Sequence, residues 1–226
     1  MQLLSNSLTD QAPIPEKFAF AVIDPDTHVS LSSNINPHLA WKGAPEGTRS
    51  FAVVCLDPDA PSAADDVNQE DREVPASLPR VDFYHWALFN IPADQSEIRE
   101  GSHCDSVTPK GKRGPAAPDG QRHGLNDYTG WFAGDADMEG QYFGYDGPCP
   151  PWNDSTVHRY VFTVYALDVE TLPEGKDLRG AALAEQIKSH SLAQASLTVS
   201  YTLNPRLAEG CPAGLMNVAG GVLPCS

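Results

Sequence analysis

Three side chains spread along the 226-residue chain, Asp57, His85 and His158, are of the types needed to hold a small anion. A tetrahedral oxyanion offers acceptors only, so its pocket must supply donors. A neutral imidazole gives one N–H, and a protonated one gives two together with a charge. A carboxylate among them has a second role. By accepting from one ring N–H it fixes the tautomer and favours the charged ring, leaving the other N–H for the ligand. Tyr160, just beyond His158, adds a hydroxyl. Binding at such a site is expected to strengthen as pH falls through the histidine range.

Each of these residues also has an ordinary explanation. An aspartate after an apolar run is usually a turn residue, and an inward histidine is usually a satisfied core or edge group. Convergence sets the three apart, and it follows from the elements that must carry them. In residues 50–57 one face holds Phe51, Val53, Cys55 and then Asp57; in 85–91 one face holds His85, Ala87, Phe89 and Ile91. In 158–167 the face is His158, Tyr160, Phe162, Val164 and Ala166, and later Leu197, Val199, Tyr201 and Leu203 line up opposite serines and threonines. Period-two alternation predicts half-buried strands, and strands without interleaved long helices predict an all-β protein, two antiparallel sheets in a sandwich. Asp57 ends its face, whereas His85 and His158 begin theirs. All three therefore aim at the buried side from strand ends, where a sandwich opens into loops.

Between these strands the chain is less regular. Residues 62–82 are polar and acidic and read as an excursion between two strands. Residues 101–157, rich in Gly, Pro and aromatics such as Tyr128, Trp131 and Trp152, are too long for a plain connection and predict a packed functional loop. One helix is expected near 177–190, capped by Asp177, with Leu183 and Ile187 on its inner face. Pro58 and Pro61 stiffen the turn after Asp57, and the Asp57–Pro58 bond is a candidate for the cis isomer. The expected organisation is one domain over 1–205 with an appendage of unknown role over 206–226.

Composition narrows the partners. Lys+Arg 15 against Asp+Glu 30 gives a net charge of −15, which repels nucleic acid and anionic membrane surfaces at long range. The one basic cluster, Lys110, Lys112 and Arg113, is too short to reverse that. No basic-then-apolar leader and no long apolar run are present, so a cytoplasmic protein without integral membrane contact is expected. Five cysteines without C-x-x-C spacing fit a reducing compartment. The Asn153-Asp154-Ser155 sequon is then an empty match, and Arg159, alternating outward, reads as a surface charge or structural salt bridge.

The same residues carry a family resemblance. Asp57-Pro58-Asp59-Ala60-Pro61, His85-Trp86, Gly147-Pro148-Cys149-Pro150-Pro151 and His158-Arg159-Tyr160, in that order, resemble the phosphatidylethanolamine-binding protein family, most closely its bacterial Raf-kinase-inhibitor-like branch. The resemblance spans roughly residues 1–205. It implies a Greek-key sandwich with a few short peripheral helices and a small anion-binding cleft at one end. It further implies that Pro151 is a wall of that cleft and that the Cys149 backbone N–H lines the anion site, beside Asp57, His85, His158 and Tyr160. No cofactor and no metal are implied. A homodimer and a protein partner are expectations of the same kind.

The function expected is therefore a non-catalytic binding protein for phosphate, a phospho-head-group or a carboxylate, modulating a protein partner. The alternatives are a hydrolase using the His/Asp pocket, a kinase or protease inhibitor acting through its surface, and a metal triad of Asp57, His85 and His158. The hydrolase lacks a G-x-S-x-G elbow or any serine in an activating context, and nothing around Cys149 lowers its pKa.

Overall fold

The computed structural model describes residues 1–173 and 179–208. Its strands are β1 (Gln2–Leu4), β2 (Ala21–Asp24), β3 (His28–Leu31), β4 (Leu39–Lys42) and β5 (Ser50–Pro61), followed by β6 (Arg80–Pro92), β7 (Glu97–Ile98), β8 (Arg122–His123), β9 (His158–Leu167) and β10 (Ser191–Tyr201). Helices are short: α1 (Tyr128–Trp131), α2 (Gly180–Ser189) and α3 (Pro205–Ala208), with 3-10 turns at Glu16–Phe18 and Pro118–Gly120. No helix among the described residues is long and apolar enough to cross a membrane.

The main sheet has the antiparallel order β10-β9-β5-β6-β8. Within it β5, β6 and β8 succeed one another and β9 returns beside β5, which is the order of a Greek key. A second layer faces it, divided into a three-stranded sheet, β1-β4-β7, and a β2-β3 ribbon. The core lies between the layers. Phe51, Val53, Trp86, Leu88, Phe162, Val164 and Val199 of the main sheet pack there with Leu3, Ala21, Leu39, Trp41 and Ile98.

The main sheet is also covered on its outer side. Ala52, Val54, Ala87, Phe89, Tyr165 and Leu167 pack against Leu183, Ala184 and Ile187 of α2, so these strands are buried on both faces rather than on one. Leu183 and Ile187 are thus the inner face expected for this helix. Its N-cap position is Arg179, and Asp177 lies outside the described residues. So does the appendage from 209 onward, while α3 continues the chain past β10.

Two expectations about the strands are corrected. β5 and β6 do not end and begin at Asp57 and His85; they continue as a hairpin ribbon, with Ala60 opposite Val81 and Pro61 opposite Arg80. His85 also does not share a face with Ala87 and Phe89. Cys55 pairs with Trp86 and Leu56 with Tyr84, so His85 is the extra residue of a bulge, and a bulge re-aims side chains that plain alternation would send elsewhere. The described cis peptide bond is Gly114–Pro115, so Asp57–Pro58 is trans.

Candidate functional site

The cleft forms where the main sheet splays. β5 pairs with β9 only as far as Leu56 opposite Val161, and beyond that point it stays with β6 alone. Asp57 is the first β5 residue past the separation, and His158 is the first residue of β9. A further register shift, between Asp57 and Ala60, bends β5 away. The resulting opening, about 130 Å³, is lined by all six residues expected from the sequence: Asp57, His85, Cys149, Pro151, His158 and Tyr160.

Its floor is polar and almost wholly buried, with Asp57 and His85 each 3% exposed, His158 1% and Tyr160 0%. His158 Nδ1 lies 2.7 Å from Asp57 Oδ2, as expected. Its Nε2 lies 3.0 Å from Asp154 Oδ2, which was not expected. Asp154 also receives both terminal nitrogens of Arg80, at 2.6 and 3.0 Å. Burial alone would push the His158 pKa down. The two carboxylates, Asp154 and then Asp57, outweigh it and raise the ring to about 9. His158 is therefore an imidazolium with both N–H groups taken by carboxylates. This corrects the expectation that its second N–H is left for a ligand. With both ring nitrogens on carboxylates, His158 turns no free nitrogen toward Asp57 and His85, and no metal-binding group of acidic, His and Cys side chains gathers among the described residues.

His85 is held differently. Its Nδ1 lies 2.8 Å from the Asp146 carbonyl oxygen, and its ring meets Tyr128 and Tyr160 edge-on, with centroids 5.5 and 5.1 Å away. Burial lowers its pKa more than Asp57 and the Asp146 backbone raise it. The Tyr160 hydroxyl is buried beside Asp57, close enough for that carboxylate to act on it but outside the geometry of a full hydrogen bond. Burial also raises the Cys149 thiol to about 12, which removes it as a nucleophile.

Asp146 anchors this arrangement from behind. Its fully buried carboxylate takes Asn34 Nδ2 at 2.8 Å, Asn126 Nδ2 at 2.8 Å and Lys112 Nζ at 2.9 Å. Lys112, one of three residues in the expected basic patch, is thus turned inward. Gly147 follows at a point of close chain approach, where a Cβ would sit 2.0 Å from the Phe18 carbonyl oxygen. Its own carbonyl takes the Tyr128 hydroxyl at 2.7 Å.

The walls are apolar. Val67, Val81, Phe83, Tyr128, Trp131 and Pro150 line them, and Val81 and Trp131 at the rim are 47% and 48% exposed. Val67 belongs to the excursion, which occupies residues 62–79 and closes one side of the cleft. Asn153 fastens it: Nδ2 donates to the carbonyls of Asp66, Gln69 and Arg72 at 2.8–3.2 Å, and Oδ1 accepts from Asn68 N. The sequon asparagine is therefore a buried fastener. Arg159 lies outside the floor, paired with Asp59 through Nε and a terminal nitrogen at 2.9 and 2.8 Å, as its outward alternation implied.

Sequence reasoning missed Asp154 and Asp146. The signal for Asp154 was its position four residues before His158; for Asp146 it was adjacency to the Gly-Pro-Cys-Pro-Pro run.

Comparison with known proteins bears on the same span. Residues 4–202 match the family model described as phosphatidylethanolamine-binding protein. The chain is 33% identical over 202 residues to the UPF0098 protein YbhB of Escherichia coli, covering 89% of this chain and 100% of that protein. It is 32% identical over 202 residues to a UPF0098 protein of Methanothermobacter thermautotrophicus, with coverage of 89% and 98%. The crystal structure of E. coli YbcL, described as a new member of the mammalian PEBP family, superposes with a TM-score of 0.64 at 27% identity, over 89% of this chain and 97% of that one.

Proposed function

The chain belongs to the phosphatidylethanolamine-binding protein family, and from that membership we propose that its end cleft is a non-catalytic binding site for a small phosphate-like anion. The observation that carries this reading is the Tyr160 hydroxyl, fully buried in the cleft floor with no well-formed hydrogen bond although Asp57 stands beside it. An unsatisfied buried polar group costs roughly 1–3 kcal/mol, and a ligand oxygen placed beside it would recover that. His85, standing edge-on to Tyr160, is the second contact. Apolar walls at Val67, Val81, Phe83 and Trp131 suit an anion carrying a short organic substituent, such as a phospho-head-group. A binding role is favoured over hydrolysis because Cys149 is held as a thiol and no serine is among the residues lining the cleft.

Titration with inorganic phosphate, followed by NMR of the histidine rings, tests the proposal. The His85 signals are expected to shift saturably. In Tyr160→Phe affinity should fall about five- to tenfold, while stability is unchanged or rises by up to about 1 kcal/mol, since the variant removes an orphaned hydroxyl. Histidine signals indifferent to phosphate at tens of millimolar would sink the reading.

A further inference from the structure

Away from the end cleft, beside β7, a second opening of about 300 Å³ is lined by Gln95, Glu97, Arg99, Ser102, His103 and Asp119 among others. A chain of hydrogen bonds along its wall has a defined direction. Gln95 Nε2 donates to the Glu97 carbonyl oxygen at 2.9 Å, so its Oε1 accepts from Gln121 Nε2 at 2.8 Å. Gln121 Oε1 is thereby turned to His103 Nε2, 3.0 Å away. Flipping either amide would set two oxygens against each other. An amide oxygen only accepts, so His103 Nε2 carries a hydrogen and, in the neutral ring, Nδ1 is a lone pair.

The exposed Ser102 places its Oγ 2.7 Å from that lone pair. Its hydrogen has a second acceptor, the Arg99 carbonyl oxygen, also at 2.7 Å, but of the two only the imidazole is a base. The groups around the ring keep it neutral. Trp86 of β6 and His123 of β8 pack on it, with centroids 5.9 and 5.6 Å away, and burial holds His123 itself neutral, at about 3. Burial lowers His103 more than Gln121 and Asp119, in the Pro118–Gly120 turn, raise it. Glu97 and Arg99 face the same opening; Glu97 is paired with His38, and no ion pair among the described residues engages the Arg99 guanidinium.

We propose that Ser102 and His103 form a second, nucleophilic site that acts on activated carboxylic esters, with His103 as the base and Gln121 as the residue that positions it. Cysteine–histidine–asparagine centres use an amide in the same third place. Only Gln121 and Gln95, distant in sequence, give the adjacent Ser102–His103 pair its direction. Ser102 Oγ bonds to the ester carbonyl carbon as its proton passes to Nδ1. The tetrahedral intermediate then breaks its bond to the alkoxy oxygen, which leaves as the alcohol with that proton. Water repeats the sequence on the acyl-serine, releasing the acid and restoring Ser102. The backbone N–H groups of Ser102 and His103 are already bonded, to the Arg99 carbonyl oxygen and Asn36 Oδ1. Arg99 is therefore the group left to face the oxyanion. With so little stabilisation of that charge, the site suits esters with good leaving groups rather than amides.

A fluorophosphonate, from whose phosphorus Ser102 Oγ displaces fluoride, tests this on the unaltered protein, with the labelled peptide identified by mass spectrometry. Ser102 should react at least about tenfold faster than Ser96, which lines the same opening without a base beside it. In His103→Gln the rate should fall at least about tenfold. p-Nitrophenyl acetate should be hydrolysed at least about tenfold faster than by Ser102→Ala. Labelling of the unaltered protein should decline on an acid limb below about pH 6.5, where the ring gains a proton. In Gln121→Glu, whose carboxylate favours the charged ring, that limb should move up by about one pH unit. Labelling of Ser102 no faster than Ser96, a rate that His103→Gln leaves unchanged, ester hydrolysis equal in Ser102→Ala, or a limb that Gln121→Glu does not move would each overturn the proposal. None of these outcomes bears on the anion reading of the end cleft.

Discussion

Two histidines on one cleft floor are tuned in opposite directions by what touches them. His158 has a carboxylate on each nitrogen and is raised to about 9; His85 has a carbonyl on one nitrogen and is lowered. Opposed environments of this kind divide like residues: His158 is a fixed charge that ties β9 to Asp57, and His85 is the ring that burial holds toward its neutral form. The stability consequence has a definite sign. Because the folded pKa of His158 lies above its ordinary value of about 6.5, its contribution is complete below that pH and is lost as pH rises through about 9. Urea unfolding between about pH 6 and pH 10 should therefore show a decline of order 3 kcal/mol, absent in His158→Gln. A flat profile in the unaltered protein would contradict it. The residue types and their convergence were legible in the sequence, and all six expected residues line the cleft. The different tuning of the rings was not. It depends on Asp154, which reaches His158 through a local turn, and on the Asp146 carbonyl, a backbone atom that no side-chain pattern announces.

At the scale of elements, alternation located β9 to the residue and placed the inner face of α2. It failed at β6, where a bulge at His85 breaks the period, and at the ends of β5 and β6, which run on as a ribbon after β9 has parted from them. Bulges insert a residue without changing composition, so periodicity reads straight through them. The excursion was recognised from its acidity, but its attachment was not, because three backbone carbonyls of 66–72 converge on one distant amide. Removing that amide should loosen the wall without dissolving the core. In Asn153→Ala, hydrogen exchange across 62–79 is expected to accelerate at least about tenfold, each lost hydrogen bond contributing about 1 kcal/mol, while the amides of β5 and β9 keep their protection. Loss of protection in those strands to the same degree would show that the excursion is integral to the fold.

For the whole molecule, a net charge of −15 surrounds a site proposed for anions. Long-range repulsion and local attraction then act in opposite senses, and salt screens the first far more than the second because the floor is buried. Methyl phosphate should consequently associate faster as ionic strength rises from about 10 to 200 mM, by roughly two- to fivefold, when the added salt has a bulky anion excluded from the cleft. A rate that falls with salt would mean that some positive surface steers the ligand. The division between floor and wall has a further consequence. The ionisable groups of the floor belong to strands that also build the core, whereas one side of the opening is an inserted segment tied down from outside by Asn153, Trp152, Ser155 and Arg80. A change of length or sequence in that segment, which contributes Val67 and Asn68 to the lining, would reshape the opening without altering the residues of its floor.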